Sequence, residues 1–134
     1  MAVRALDPAA IAPPLARYSH GVLVPPGQEW LATSGQLALG PDGTVPDDVE
    51  AQCVLVFEAL RAILAEGGMD FSHVVQFRAY VTDRAFFPIY GAVRSRYVEG
   101  SAFASTLLVV SGFTRPEFKV EVEVLAARPA APPS

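Results

Sequence analysis

The chain has 134 residues, 51% of them hydrophobic and 18% charged, a balance that favours one packed domain hiding about two-thirds of its unfolded surface. A formal charge of −4 without any run of basic residues works against nucleic acid, whose backbone is held by a Lys/Arg surface. No stretch reaches the roughly 20 apolar residues of a bilayer span and no charged start leads into an apolar run, so a cytoplasmic protein with no membrane partner is expected.

Residues 1–17 carry Pro8, Pro13 and Pro14 among small residues and read as an irregular lead-in. Segments 21–24 and 30–36 read as strands joined in a hairpin by Pro25, Pro26 and Gly27. Helical spacing then sets in over about 48–66, where Asp47 is the expected N-cap with Glu50 three residues on, and Gly67 and Gly68 supply the stop. Val49, Cys53, Val56, Leu60, Ile63 and Leu64 form its apolar stripe. Cys53 lies in that stripe as the sole cysteine, so it reads as packing and no internal disulfide can form.

Segment 74–82 is rich in β-branched and aromatic residues and reads as a strand. A second helix over about 86–98, with Pro88 in its first turn, and strands over 104–110 and 118–126 complete the chain. The expected fold is α+β: a single domain over 1–134 in the order β-β-α-β-α-β-β, with two helices on one face of a mixed sheet and an irregular tail over 128–134.

Strand alternation says what the uncovered face carries. Val120, Val122 and Val124 point one way, Glu121 and Glu123 the other; Gln76, Arg78, Tyr80 and Thr82 share a parity against Val75, Phe77, Ala79 and Val81. The carboxylates of Glu121 and Glu123 stand within about 7 Å of each other, a proximity that raises at least one pKa and suits acid/base chemistry. By itself the pattern fits surface glutamates paired across the strand better.

His20 and His73 have no third ligand at metal spacing, so no metal is expected. Ser34 lacks the context of a nucleophile elbow, and Gly40, Pro41, Asp42, Gly43 lacks the ending of a phosphate loop. No cofactor is expected.

Tyr18, Ser19, His20, Gly21; then Ser34, Gly35, Gln36; then 48–52 at the helix start; then Val74, Val75 and Tyr80, Val81, Thr82, Asp83; and finally Val120, Glu121, Val122, Glu123 resemble, in order and spacing, the Rid family, the YjgF-like enamine/imine deaminases. The likeness covers about residues 10–127. It implies a chorismate-mutase-like fold and a homotrimer with small-molecule sites between subunits, where water adds to a reactive imine and releases ammonia without metal or cofactor. By position it makes Glu121 the acid/base group, Tyr18 a pocket tyrosine, and Ser34 and Gly35 a strand end lining the pocket.

Where deaminating members carry an arginine in a Pro-Ala-Arg-Thr-like segment, this chain has Phe103, Ala104, Ser105, Thr106, which puts Ser105 at the arginine position. A guanidinium grips a carboxylate with two charge-assisted hydrogen bonds and a hydroxyl offers one neutral donor. Leu107 and Tyr90 stand where smaller or more polar residues are common, implying a more apolar cavity in which Ser105, Thr106 and Tyr18 orient the substrate. Arg78 is a candidate substitute cation, against which stands an ion pair with Glu121 or Glu123. The expected function is an arginine-less Rid-family enzyme acting on an imine, enamine or enol. The alternative is a trimeric metabolite-binding protein without chemistry, and a ribonuclease conflicts with the acidic charge.

Overall fold

The computed structural model describes residues 3–130. Its longer helix, α1 (Val49–Glu66), starts one residue later than the capping pattern suggests. Asp48, extended at φ −74 and ψ 128, is the N-cap, and its carboxylate accepts from the Ala51 N–H at 2.9 Å, satisfying one of the amides a helix start leaves unpaired. Glu50 therefore sits in the first turn, where its charge suits the helix dipole. The stop falls at Gly67 and Gly68 as expected, the latter at φ +71, a conformation that favours glycine.

The main sheet takes the strand order β3-β7-β5-β6, from β3 (Gln28–Ala32), β5 (Val74–Val81), β6 (Ala104–Val109) and β7 (Val120–Pro129), with the short β4 (Gln36–Leu37) also pairing with β7. β5 and β6 run parallel because α2 (Phe87–Tyr97) connects them, and β7 is antiparallel to its neighbours. The mixed sheet with two helices matches the α+β fold expected.

One sheet face is sealed by the helices. Phe77, Ala79 and Val81 from β5 and Val120, Val122 and Val124 from β7 join Val56, Phe57, Leu60 and Leu64 of α1 and Tyr90 and Val93 of α2 in the core. Phe57, completely buried, lies with its ring 5.9 Å from Tyr90 and 5.2 Å from Tyr97; truncating such a side chain costs about 3–5 kcal/mol. Cys53 is buried in the same layer, and burial pushes its thiol up to about 12, so it is packing. Gln52, unlisted by apolar spacing, is also fully buried. Its amide donates to Pro46 O and Glu117 O, both at 2.8 Å, and accepts from the Lys119 N–H at 2.9 Å, tying α1 to the approach of β7.

Four expectations need correction. The lead-in is not wholly irregular, since β1 (Arg4–Leu6) pairs with β2 (Gly21–Leu23) in a two-stranded ribbon. That pairing replaces the expected β2–β3 hairpin, because Pro25 and Pro26 have no N–H to carry a ladder into the turn. The strand expected over 30–36 is broken: Ala32 pairs with Leu125 and Gln36 with Val122, so 33–35 oppose only Glu123 and Val124, a bulge of one residue. Thr33 maintains the contact there, its Oγ1 accepting from the Val124 N–H at 3.0 Å and its own N–H donating to Val124 O at 3.1 Å. Finally, β7 runs on to Pro129, past the expected end at 126; of the tail, 131–134 lie outside the described residues.

Candidate functional site

Cross-strand register settles which side chains share the uncovered face. Glu121 lies opposite Tyr80 and Leu37, and Glu123 opposite Arg78; on the other side of β5, Arg78 lies opposite Thr106 and Gln76 opposite Ala104. Directly opposed residues project to the same side. Glu121, Glu123, Tyr80, Arg78, Gln76 and Thr106 therefore share one face, with no helix over it.

Glu121 is seated against the bulge. A Cβ built on Gly35 would lie 2.6 Å from its carboxyl carbon, so Gly35 is where a side chain would displace the carboxylate. Ser34, exposed, accepts from Gln36 Nε2 on its backbone O at 3.2 Å. Partial burial, and then the charge of Glu123, raise the Glu121 pKa above its ordinary value of 4.5. Glu123 is engaged elsewhere, its Oε1 accepting from the Tyr80 hydroxyl at 2.8 Å, a bond that raises the Tyr80 pKa. Beside this pair opens a cleft of about 160 Å³ lined by Thr33, Gln76, Arg78 and Glu123.

The ion pair considered for Arg78 is absent: among the described residues, the salt bridges join other partners. Tyr80 occupies the Glu123 oxygen instead, and Arg78 points to solvent.

Ser105, Leu107 and Tyr90 are not with Glu121. Ser105 lies opposite Phe77 and Leu107 opposite Ala79, core residues both, so β6 turns them toward the helices and presents Thr106 to the carboxylate face. Tyr90, expected to line the pocket, is fully buried in the core, where burial pushes its hydroxyl up to about 12. Among the described residues that hydroxyl makes no well-formed hydrogen bond, and the Arg94 guanidinium beside it opposes part of the shift. Tyr18 belongs with this second group. It packs against the core, its oxygen accepting from the Leu15 N–H at 3.3 Å, while the adjacent Ser19 N–H donates to Phe103 O at 2.8 Å beside the start of β6.

At the centre of the second group stands a residue that apolar spacing passed over. Arg94 on α2 is only 4% exposed; its Nη1 donates to Ser105 Oγ at 3.1 Å and its Nη2 to Arg17 O at 3.3 Å. The signal was present as an arginine four residues after Tyr90, on the buried face of the helix. His20 and His73 are apart and bonded locally, to Ala12 O and to the Asp70 N–H. No group of three or more His, Cys, Asp or Glu side chains among the described residues forms a metal cluster, and no helix there is long and apolar enough to cross a membrane.

The element order, the bulge against Glu121 and the helix-free carboxylate face define an α+β chain of the YjgF/Rid fold. The family model described as endoribonuclease L-PSP matches residues 9–128, and the chain belongs to that family, the Rid or YjgF-like proteins. It is 39% identical over 121 residues to the protein DfrA of Myxococcus xanthus, covering 89% of this chain and 88% of that one. It is 30% identical over 101 residues to the putative reactive intermediate deaminase TdcF of Escherichia coli, covering 73% and 78%. Among solved structures, the Rid-family protein YyfB of Yersinia pestis superposes with a TM-score of 0.84 at 25% identity, covering 96% and 100%.

Proposed function

We propose that this chain is a cofactor-free enzyme of the cytoplasm that works as a homotrimer, with Glu121 as acid/base group in the hydrolysis or tautomerisation of an imine, enamine or enol. The observation that carries the reading is the seat of Glu121: a carboxyl on a helix-free sheet face, raised above its ordinary pKa by burial and pressed against Gly35. A carboxyl whose pKa is raised is a stronger base toward a proton taken from water and can still return it to the substrate. In imine hydrolysis it takes a proton from the attacking water as oxygen bonds to the imine carbon, and delivers it to nitrogen. The carbinolamine hydroxyl then gives up its proton, relayed by Glu121 to nitrogen, as the carbonyl forms, the carbon–nitrogen bond breaks and ammonia leaves.

Since Glu121 and Ser105 lie on opposite faces of one sheet, a site that uses both must be built by two subunits. The open edge of β6, with Leu108 and Val109 about half exposed, supports such an assembly. A deaminase named among the relatives supports the reaction class. Substrate recognition then departs from a two-pronged grip by the strand, because Ser105, at the position where the resemblance places an arginine, offers one hydroxyl. RNA cleavage is not proposed for a chain of charge −4 without any run of basic residues.

Glu121→Gln tests the reading: ammonia release from a panel of imines and enamines generated in situ is expected to vanish while ligand binding persists. Absence of turnover by the unaltered protein across that panel would reject the enzyme in favour of a metabolite-binding trimer, the reading that the Ser105 substitution favours.

A further inference from the structure

Cross-strand register offers Glu123 a partner that it does not take. Arg78 lies directly opposite it on β5, while Tyr80 lies opposite Glu121, one step further along the same face. Directly opposed side chains stand about 5 Å apart and diagonal ones about 7–8 Å, so an ion pair with Arg78 is the shorter reach. The carboxylate nevertheless accepts the Tyr80 hydroxyl on Oε1 at 2.8 Å, and no carboxylate among the described residues forms a salt bridge with Arg78. The physical chemistry favours that exchange. Arg78 is exposed, where an ion pair is screened and stabilises little; Tyr80 and Glu123 are half-buried, where a hydroxyl bonded to an ionised oxygen is the stronger contact. The bond draws the Glu123 carboxylate along the face toward Glu121 and away from the guanidinium.

The remaining groups around Glu121 are already committed or carry no charge. Lys119, two residues before it, donates from Nζ to Asp47 O. On its β4 side lie Leu37 and the bulge at 33–35, where no side chain titrates, and from β5 come Tyr80 and Arg78. Burial and then the charge of Glu123 raise the Glu121 pKa, and no cation enters to lower it. We propose that Tyr80 is a positioning residue of this site: by holding Glu123 back from Arg78 it keeps an unneutralised carboxylate beside Glu121 and leaves the guanidinium uncommitted on the wall of the cleft. Without the hydroxyl, Glu123 turns to the cation directly opposite, and Glu121 loses much of the charge that opposes its ionisation. This rests on the reading of Glu121 as an acid/base group, and deepens it by naming the pair that sets how firmly Glu121 holds its proton.

The test is a carboxyl-carbon NMR titration of the full chain in its native assembly, labelled at glutamate, with the Glu121 signal assigned by its loss in Glu121→Gln. Charges about 7 Å apart on a solvated face shift one another by about half a pH unit. Glu123→Gln is expected to lower the Glu121 midpoint by about that much, and Tyr80→Phe to lower it in the same direction by nearly as much. Adding Arg78→Gln to Tyr80→Phe is expected to return the midpoint to that of the unaltered protein or above it, because Glu123 then has no cation to meet. An unmoved midpoint in either single variant overturns the proposal. So does a midpoint lowered in Tyr80→Phe that Arg78→Gln does not restore, since a hydroxyl that merely packs would give that result. Glu123→Gln leaves Tyr80 in place, so the proposal stays refutable if Tyr80→Phe does not fold. The titration reads no turnover: midpoints that move as expected support the arrangement even if no imine is hydrolysed. Conversely, turnover abolished by Glu121→Gln beside an unmoved midpoint in Tyr80→Phe rejects this role for Tyr80 alone.

Discussion

Replacing Gln52 by leucine keeps the volume nearly unchanged and removes three hydrogen bonds, at 2.8, 2.8 and 2.9 Å. The side chain is fully buried, so Pro46 O, Glu117 O and the Lys119 N–H lose their partner inside the protein. At about 1 kcal/mol net for each bond the loss is about 3 kcal/mol, and more where water cannot reach the orphaned groups. Against a domain stability of about 5–15 kcal/mol this is a large effect. With a urea dependence of about 2 kcal/mol per molar, the unfolding midpoint moves down by about 1.5 M. Gln52→Glu is expected to be at least as damaging, since a carboxylate would face two carbonyl oxygens with no proton to give them. Urea titrations followed by circular dichroism, with the slope unchanged, measure both. A shift under about 0.5 M for Gln52→Leu would refute the bridge and leave Gln52 as mere filling. The consequence reaches the site, because Lys119 is two residues from Glu121 and the bridge holds the start of β7 against α1.

Gly35→Ala puts a methyl 2.6 Å from the Glu121 carboxyl carbon, where ordinary contact begins at 3.4 Å. The carboxylate moves by about 1 Å and turnover falls about 100-fold, while melting shifts little, since Gly35 is not among the positive-φ glycines. A variant as active as the parent contradicts the seat assigned to Glu121. Cys53, pushed up to about 12 and 1% exposed, is expected to be inert to a thiol-reactive disulfide in the native protein and to react fully in denaturant; rapid native labelling would contradict its place in the core. For Glu121 the sign of the pH effect follows from its raised pKa. The folded form holds the proton more tightly, so its relative stabilisation is complete below about 4.5 and is lost as pH rises through the raised folded value. Glu121→Gln should therefore melt higher than the parent at neutral pH and converge with it in acid, and the opposite trend would refute a raised carboxyl.

Local patterns carried much of this protein. The stripe from Val49 to Leu64 located α1 because a helix buries one face at a spacing visible in the chain, and the alternation of Val120, Glu121, Val122, Glu123 named the core and polar sides of β7 because side chains alternate. Charge and composition set aside a nucleic-acid surface. The order of short motifs carried the family, since each motif sits at an element boundary whose chemistry is local. What stayed hidden depends on partners distant in sequence. That β1, not β3, pairs with β2, and that 33–35 bulge against Glu123 and Val124, are facts of register between segments about 90 residues apart in the latter case. The same holds for the site: Ser105 and Glu121 read as neighbours in one pocket, yet the parallel pairing of β6 with β5 puts them on opposite faces. Alternation fixes a side chain's parity along its own strand, but only the packed sheet decides which parity of one strand meets which of another, and only there does Arg94 arrive at Ser105 from a helix eleven residues earlier.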